Sequence, residues 1–170
     1  MKIIIMGTPD FAVGTLEALI TGGYEIALVV TQPDKPQGRK MELTPPPVKV
    51  CALQHGLEVY QPTRVREQSS MEYLKKYEPD MIVVAAFGQI LPKELLELPK
   101  YGCINVHASL LPNYRGSAPI QWSILNGDAE TGVTIMRMDT GIDTGDMIAK
   151  RTVPIEEEDT GGSLFDKIFR

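Results

Sequence analysis

Short apolar runs alternate with amphipathic segments along this chain, and this alternation constrains the fold more than any other feature. Residues 3–6, 26–31 and 81–86 are apolar runs typical of buried strands. Apolar residues at helical spacing follow the first run, and Gly22 ends that predicted helix. Strands that alternate with helices form a mostly parallel sheet covered by helices on both faces. The sequence therefore predicts an α/β domain that binds ligands at the carboxyl ends of its strands.

Shorter signals of the same kind predict the remaining elements. Thr8 is expected to cap the first helix, with Pro9 at the first helical position. Residues 32–47 contain five prolines and are predicted to form a loop. The other predicted strands are 57–60, 103–107, 133–138 and 147–153, and the other predicted helices are 48–55, 69–77, 92–98, 119–126 and 163–169.

Composition excludes several classes of protein. The chain is 43% hydrophobic and 23% charged, as ordinary globular domains are, and it has no apolar run near the ~20 residues that span a bilayer. A net charge of −5 argues against nucleic-acid binding over the whole surface but permits a local basic patch. Cys51 and Cys103 are not clustered, so we expect a cytoplasmic protein with no metal site. Neither GxGxxG nor GxxxxGK[ST] occurs, which argues against the common nucleotide-binding motifs.

An asparagine and a histidine in one predicted strand are the most informative pair. Side chains alternate along a strand, so Asn105 and His107 project from one face, near the carboxyl end. The amide can donate to a developing oxyanion, and the imidazole can shuttle a proton near neutral pH. The alternative is a histidine that is merely hydrogen-bonded and partly exposed. GxSxG is absent and Cys103 is expected to pack within the strand, which favours direct acyl transfer without a covalent intermediate.

The acidic segment from Asp139 to Asp146 reads DTGIDTGD and allows several interpretations. Its acidic residues are too far apart for a DxDxDG calcium loop. Asp-Thr-Gly occurs in aspartic proteases, but those are all-β proteins with a carboxylate dyad. Two interpretations stay open: a glycine-rich turn with solvated carboxylates, or a turn that aims one carboxylate into a pocket.

The segment that follows the asparagine–histidine pair, HASLLPNYRGSAPI, resembles the signature of the formyltransferases that use 10-formyltetrahydrofolate. The family pattern is Asn-x-His, then SLLP, then an aspartate in a D-x-G-x-D-T-G-D loop. The resemblance covers essentially the whole chain. It implies a Rossmann-like formyltransferase fold, with residues 1–170 as the N-terminal catalytic domain and the family's C-terminal β-barrel domain absent from the chain.

The resemblance implies a catalytic role for three residues. Asn105 and protonated His107 would hold the tetrahedral oxyanion. Asp143 would orient His107 and assist removal of a proton from the attacking amine. No metal takes part in the implied chemistry.

The resemblance also implies a folate site, with the folate as formyl donor. The segment after the strand at 81–86 resembles the pterin-contacting loop of the family, whose backbone amides and carbonyls would read the pterin edge. A plain connection between strand and helix is the alternative. The implied folate-binding residues are Phe87, Gly88, Gln89, Ile90, Leu91, Ser109, Leu110, Leu111, Pro112, Asp139 and Gly141.

Two further segments resemble the branch of the family that formylates methionine on initiator tRNA. They are MGTPDF at residues 6–11 and TQPDKPQGR at residues 31–39. Lys35, Arg39 and Lys40 would contact the tRNA, with Arg39 as the main contact, whereas composition alone also fits a solvated surface loop. The implied partners are initiator Met-tRNA and folate, and we expect a monomer that does not bind membranes.

Three other functions remain compatible with these residues. A sister enzyme would formylate glycinamide ribonucleotide or a nucleotide-sugar amine, without needing the basic loop. A folate-dependent hydrolase would pass the formyl group to water. A non-catalytic module would bind folate or RNA while Asn105, His107 and Asp143 stay idle.

Overall fold

The structure is a computed structural model, and it describes residues 1–107, 124–139, 145 and 147–160. The chain divides into two units, Met1–Cys103 and Ile104–Arg170. The elements that begin in the first unit are β1 (Lys2–Gly7), α1 (Asp10–Thr21), β2 (Glu25–Val30), β3 (Lys35–Gln37), β4 (Glu42–Thr44), α2 (Pro47–Gln54), β5 (Val59–Tyr60), α3 (Gln68–Lys75), β6 (Met81–Ala85), α4 (Lys93–Glu97) and β7 (Cys103–His107). The second unit adds β8 (Glu130–Arg137) and β9 (Met147–Pro154).

The first apolar run forms the central strand of the sheet in the first unit. β1 pairs in parallel with β2 on one side and with β6 on the other. β5 pairs in parallel with β2, so the order is β5-β2-β1-β6. A central parallel strand is covered on both faces, and residues 3–6 are accordingly all apolar and buried. The predicted α/β fold with a mostly parallel sheet is confirmed.

The helices take their places because the chain reverses direction across the sheet. It passes from β1 to β2 and β5, and the intervening α1 and α2 pack against each other. It then returns through α3 to β6, on the other side of β1. Right-handed crossovers put helices on one face before such a reversal and on the opposite face after it. The buried apolar residues of these helices are Phe11, Ala12 and Leu16 in α1, Val48, Cys51 and Ala52 in α2, and Met71 and Leu74 in α3.

The reversal creates a topological switch point between β1 and β6. Open α/β sheets bind ligands in the crevice beyond the carboxyl ends of the strands at such a point. Gly7, the last residue of β1, lies opposite Ala85, the last residue of β6. The two loops that follow these residues therefore start side by side.

The start of α1 differs from the prediction for Thr8. Pro9 occupies the N-cap position, helical residues begin at Asp10, and no side chain caps the helix. The Thr8 hydroxyl instead donates a hydrogen bond of 2.8 Å to the carbonyl oxygen of Phe87. A local capping rule could not anticipate this partner, because it lies 79 residues away along the chain.

The proline-rich segment 32–47 contains regular structure that the sequence did not predict. β3 and β4 pair as an antiparallel hairpin, in which Pro36 lies opposite Leu43. Positive φ angles at Gly38 and Met41 turn the chain between the two strands. Both strands of an isolated two-stranded ribbon are edges, so a proline without an amide proton is tolerated there. The prediction of a loop is therefore wrong for residues 35–37 and 42–44.

The strands of the second unit are antiparallel. β8 pairs with β7 on one side and with β9 on the other. The predicted strand 103–107 is confirmed. β8 begins three residues before the predicted 133–138 and ends one residue earlier, and β9 ends one residue beyond the predicted 147–153. The predicted helices at 119–126 and 163–169 lie mostly or wholly outside the described residues.

We expect Gly7→Ala to lower the free energy of unfolding by about 1–3 kcal/mol, the usual cost of overpacking. A Cβ atom at Gly7 would lie 2.5 Å from the Cβ of Ala12 and 2.7 Å from the carbonyl oxygen of Ala85. Urea denaturation measures the change. Gly23→Ala is the control, because a Cβ there meets no atom within 4 Å and tests only the cost of a positive φ. A Gly7→Ala protein as stable as the wild type would contradict this close approach.

Candidate active site

The asparagine and histidine of β7 lie where the alternation of the strand predicts. Asn105 is half-buried and His107 is only 7% exposed. In the ladder between β7 and β8, Met136 lies opposite Asn105 and Thr134 lies opposite His107. Directly paired residues of antiparallel strands project to the same side, so all four side chains share one face. β7 thus presents an amide and an imidazole together at its carboxyl end.

Thr134 is a polar neighbour of His107 that the sequence did not indicate. Its side chain is fully buried and lies opposite His107 on β8. The Cβ atoms of such directly opposed residues are typically about 4.5–5.5 Å apart. Only the register of two antiparallel strands brings these residues together, and no local motif encodes that register.

Several predicted site residues fall outside the described part of the chain. Asp143, the third predicted catalytic residue, is among them, and so is Gly141. Asp139 is described and is exposed, two residues beyond the end of β8. The four predicted folate residues Ser109, Leu110, Leu111 and Pro112 also lie outside the described residues.

The predicted folate loop follows β6 at the switch point. Gly88 within the loop has a φ of 92°, and Ala86, directly before the loop, has a φ of 52°. Phe87 and Leu91 are buried, whereas Ile90 is 83% exposed. The loop is therefore anchored by two apolar side chains and presents a third one outward.

Polar side chains connect this loop to the ends of the neighbouring strands. Thr8 follows β1 and donates to the Phe87 carbonyl at 2.8 Å. Gln32 follows β2, and its Nε2 donates to the Gly88 carbonyl at 2.9 Å. The Nε2 atom of Gln89 donates to the Oε1 of Gln32 at 2.9 Å. Three consecutive loop residues are thus held by the segments after β1 and β2.

A second set of contacts fixes the segment that leads into the hairpin. The Nε2 atom of Gln61, just after β5, donates to Asp34 Oδ1 at 2.7 Å and to the Gln32 carbonyl at 3.2 Å. The Lys49 ammonium of α2 lies 3.1 Å from the same carboxylate. These two donors hold the pKa of the Asp34 carboxyl below its usual value. Asp34 is therefore a charged anchor directly before β3.

Sequence reasoning missed most of this network. It named Gln89, but it assigned Thr8 to a helix cap and gave no role to Gln32 or Gln61. A usable signal was present, because each of these residues follows the end of a parallel strand by no more than four positions. Polar residues in that location gather at the ligand-binding edge of an α/β sheet.

The predicted RNA-binding cations lie on the β3–β4 hairpin. Lys35 begins β3, and Arg39 and Lys40 occupy the turn between the strands. All three residues are exposed. Met41 and Leu43, beside them on the hairpin, are also exposed. The hairpin therefore combines positive charge with apolar side chains.

Cys103 lies in the interior of the protein. Its thiol is buried and lies 3.7 Å from the carbonyl oxygen of Leu95 in α4. Burial raises the pKa of Cys103 to about 12, so almost no thiolate exists at neutral pH. Such a thiol is a poor nucleophile, which agrees with its expected packing role.

Among the described residues, no group of three or more His, Cys, Asp or Glu side chains is arranged to hold a metal ion. Within the same part of the chain, no helix has the length and apolar character needed to cross a membrane.

Comparison with known proteins gives consistent matches. The family model described as Formyl transferase matches residues 1–170. The chain is 65% identical over 168 residues to a methionyl-tRNA formyltransferase of Agathobacter rectalis, and 61% identical over 168 residues to one of Geobacillus sp. strain WCH70. These alignments cover 99% of this chain but only 54% and 53% of the relatives. The chain thus spans about half the length of the curated relatives it matches.

A solved structure supports the same fold. Phosphoribosylglycinamide formyltransferase from Bacillus halodurans is similar with a TM-score of 0.81 and 26% sequence identity. The match covers 99% of this chain and 87% of that one.

We expect Thr8→Val to lower the free energy of unfolding by about 1–3 kcal/mol. The substitution nearly keeps the shape of the side chain but removes the hydroxyl that serves the Phe87 carbonyl and the Gln32 amide. Urea denaturation measures the loss, and Thr8→Ser, which keeps the hydroxyl, is the matched control. Equal stability of the Val and Ser variants would contradict a structural role for this hydroxyl.

Proposed function

The chain belongs to the formyl transferase family, and we propose that it transfers the formyl group of 10-formyltetrahydrofolate to the α-amino group of methionine on initiator tRNA. Relatives that are 54–65% identical are named methionyl-tRNA formyltransferases, which supports this acceptor. Residues 1–170 are proposed to form the catalytic domain. The acceptor, a charged tRNA, places the proposed reaction in the cytoplasm.

The observation that carries the proposal is the pair of side chains on β7. Asn105 and His107 share one face, and His107 is nearly buried. A buried donor interacts more strongly with developing charge than an exposed donor does, because water no longer screens it. An amide and an imidazole side by side suit the oxyanion that forms when an amine attacks a formyl carbon.

The proposed reaction proceeds by direct attack. The methionine amine forms a bond to the formyl carbon, and the carbonyl electrons move to oxygen, where Asn105 and protonated His107 donate hydrogen bonds. Asp143 is proposed to orient His107 and to assist removal of a proton from the amine through a water molecule. The intermediate then collapses, and the bond from the formyl carbon to N10 breaks. The N10 nitrogen takes a proton, which yields tetrahydrofolate and formylmethionyl-tRNA.

The formyl donor is proposed to bind at the loop of residues 87–91. This loop starts at the topological switch point, and its backbone is fixed by Thr8, Gln32 and Gln89. The exposed Ile90 offers an apolar surface for a pterin ring. The residues Ser109, Leu110, Leu111, Pro112, Asp139 and Gly141 are proposed to complete the folate site. No cysteine intermediate is proposed, since the Cys103 thiol is buried and protonated.

We expect formylmethionyl-tRNA to form when 10-formyltetrahydrofolate is offered together with Met-tRNA, glycinamide ribonucleotide and water as competing acceptors. Asn105→Ala and His107→Ala should each lower kcat by about 10²–10³-fold, the usual cost of losing one oxyanion donor. Product analysis measures the acceptor, and single-turnover kinetics measures the rate. Full turnover by Asn105→Ala would contradict the catalytic assignment, whereas transfer to another acceptor would contradict only the proposed substrate.

We expect Arg39→Ala to raise the KM for tRNA at least tenfold while the KM for folate stays within twofold of wild type. The guanidinium is exposed in the hairpin turn, and phosphate contacts make affinity dependent on salt. The slope of log KM against log salt should therefore become shallower. Arg151→Ala, which removes an exposed arginine from β9, is the control. An equal rise in both KM values would count against a tRNA-specific role.

A further inference from the structure

Gln32 lies between two segments for which separate ligands are proposed above. It lies two residues beyond the end of β2 and three residues before the start of β3. Its side chain reaches the loop of residues 87–91, and its main chain continues into the hairpin that carries Arg39.

Both polar atoms of the Gln32 side chain are bound to the loop. Its Nε2 donates to the Gly88 carbonyl, and its Oε1 accepts from Gln89, each at 2.9 Å. The backbone amide of Gln32 donates to Thr8 Oγ1 at 3.3 Å, and Thr8 in turn donates to the Phe87 carbonyl. A ligand that moves or fixes the loop therefore acts on Gln32.

Packing leaves little freedom between Gln32 and the loop. A Cβ atom at Gly88 would lie 2.7 Å from Gln32 Nε2, so the side chain rests against the loop backbone. Gly88 also has φ of 92°, which L side chains rarely adopt. The loop cannot shift toward Gln32 without displacing it.

The backbone carbonyl of Gln32 is tied to the segment that leads into the hairpin. The Gln61 Nε2 donates to the Gln32 carbonyl and to the Asp34 carboxylate, and Lys49 pairs with the same carboxylate. Asp34 is the last residue before β3. A displacement of Gln32 therefore reaches Asp34, the last residue before the hairpin, within two residues.

We propose that Gln32 is a positioning residue that couples the formyl-donor site to the tRNA site. A folate that shifts Gly88 and Gln89 also shifts Gln32, and with it the hairpin base that the tRNA meets. Two ligands that favour the same position of shared residues bind with positive cooperativity. This inference rests on the proposed function, because it assigns folate to the loop and tRNA to the hairpin.

The test measures the Kd of Met-tRNA for the full-length protein with and without saturating tetrahydrofolate, which lacks the formyl group and cannot react. In the wild type we expect tetrahydrofolate to tighten tRNA binding at least fivefold, the lower end of typical allosteric coupling. Gln32→Met keeps the length of the side chain but removes both hydrogen bonds, so the ratio of the two Kd values should fall to near one. Fluorescence anisotropy of labelled tRNA measures both values.

Two further variants make the test specific. Gln32→Glu keeps an acceptor for Gln89 but loses the donor to Gly88, so it should also lower the ratio of the two Kd values. This variant tests the same coupling if Gln32→Met does not fold. Gln54→Met, at the exposed end of α2, should keep the wild-type ratio. A wild-type ratio in Gln32→Met or in Gln32→Glu would overturn the coupling, and so would a wild type that binds both ligands independently. A wild type that binds neither ligand would overturn the proposed function as well.

Discussion

The parallel pairing of β1 with both β2 and β6 is the constraint on which the first unit depends. The strand is covered on both faces and paired on both edges, so residues 3–6 must be apolar and their amides must join the ladders. Its last residue meets Ala85 and the first turn of α1 so closely that only glycine fits. Because β1 and β6 end together, Thr8 comes beside Phe87, and the loop after β6 is fixed at the edge where α/β sheets bind their ligands.

The polar groups at this edge hold the loop of residues 87–91 in place, whereas the amide and imidazole side chains of β7 suit the proposed formyl transfer. Thr8, Gln32 and Gln89 use their hydrogen bonds on backbone carbonyls and on one another, which pre-organises the loop without placing a charge on it. Asn105 and His107 instead project together from one strand, as donors to an oxyanion would. This division agrees with formyl transfer, in which the donor must be oriented and the charge that develops is confined to one oxygen.

The sequence predicted what depends on local pattern. The apolar runs predicted the strands, because each buried position of a strand favours an apolar residue. The spacing of two residues placed Asn105 and His107 on one face of β7. Contacts set by tertiary structure were not predictable in this way. The hydrogen-bond partner of Thr8 lies 79 residues away along the chain, and the position of Thr134 beside His107 depends on the register of two strands. The hairpin at 35–44 was not predicted because the prolines of this segment favoured a loop. The resemblance to a family supplied the folate and tRNA assignments, which no pattern in the residues indicates.

The position of β6 also affects the chain while it is being synthesised. β1 and β2 are complete by residue 30, but the second neighbour of β1 begins only at Met81. At about 5–20 residues per second, roughly 3–10 seconds pass before that neighbour leaves the ribosome. During this interval one edge of a strand whose residues 3–6 are all apolar has no neighbour, and such edges pair readily with other chains. The second edge of β1 therefore stays open to such pairing until β6 has been synthesised.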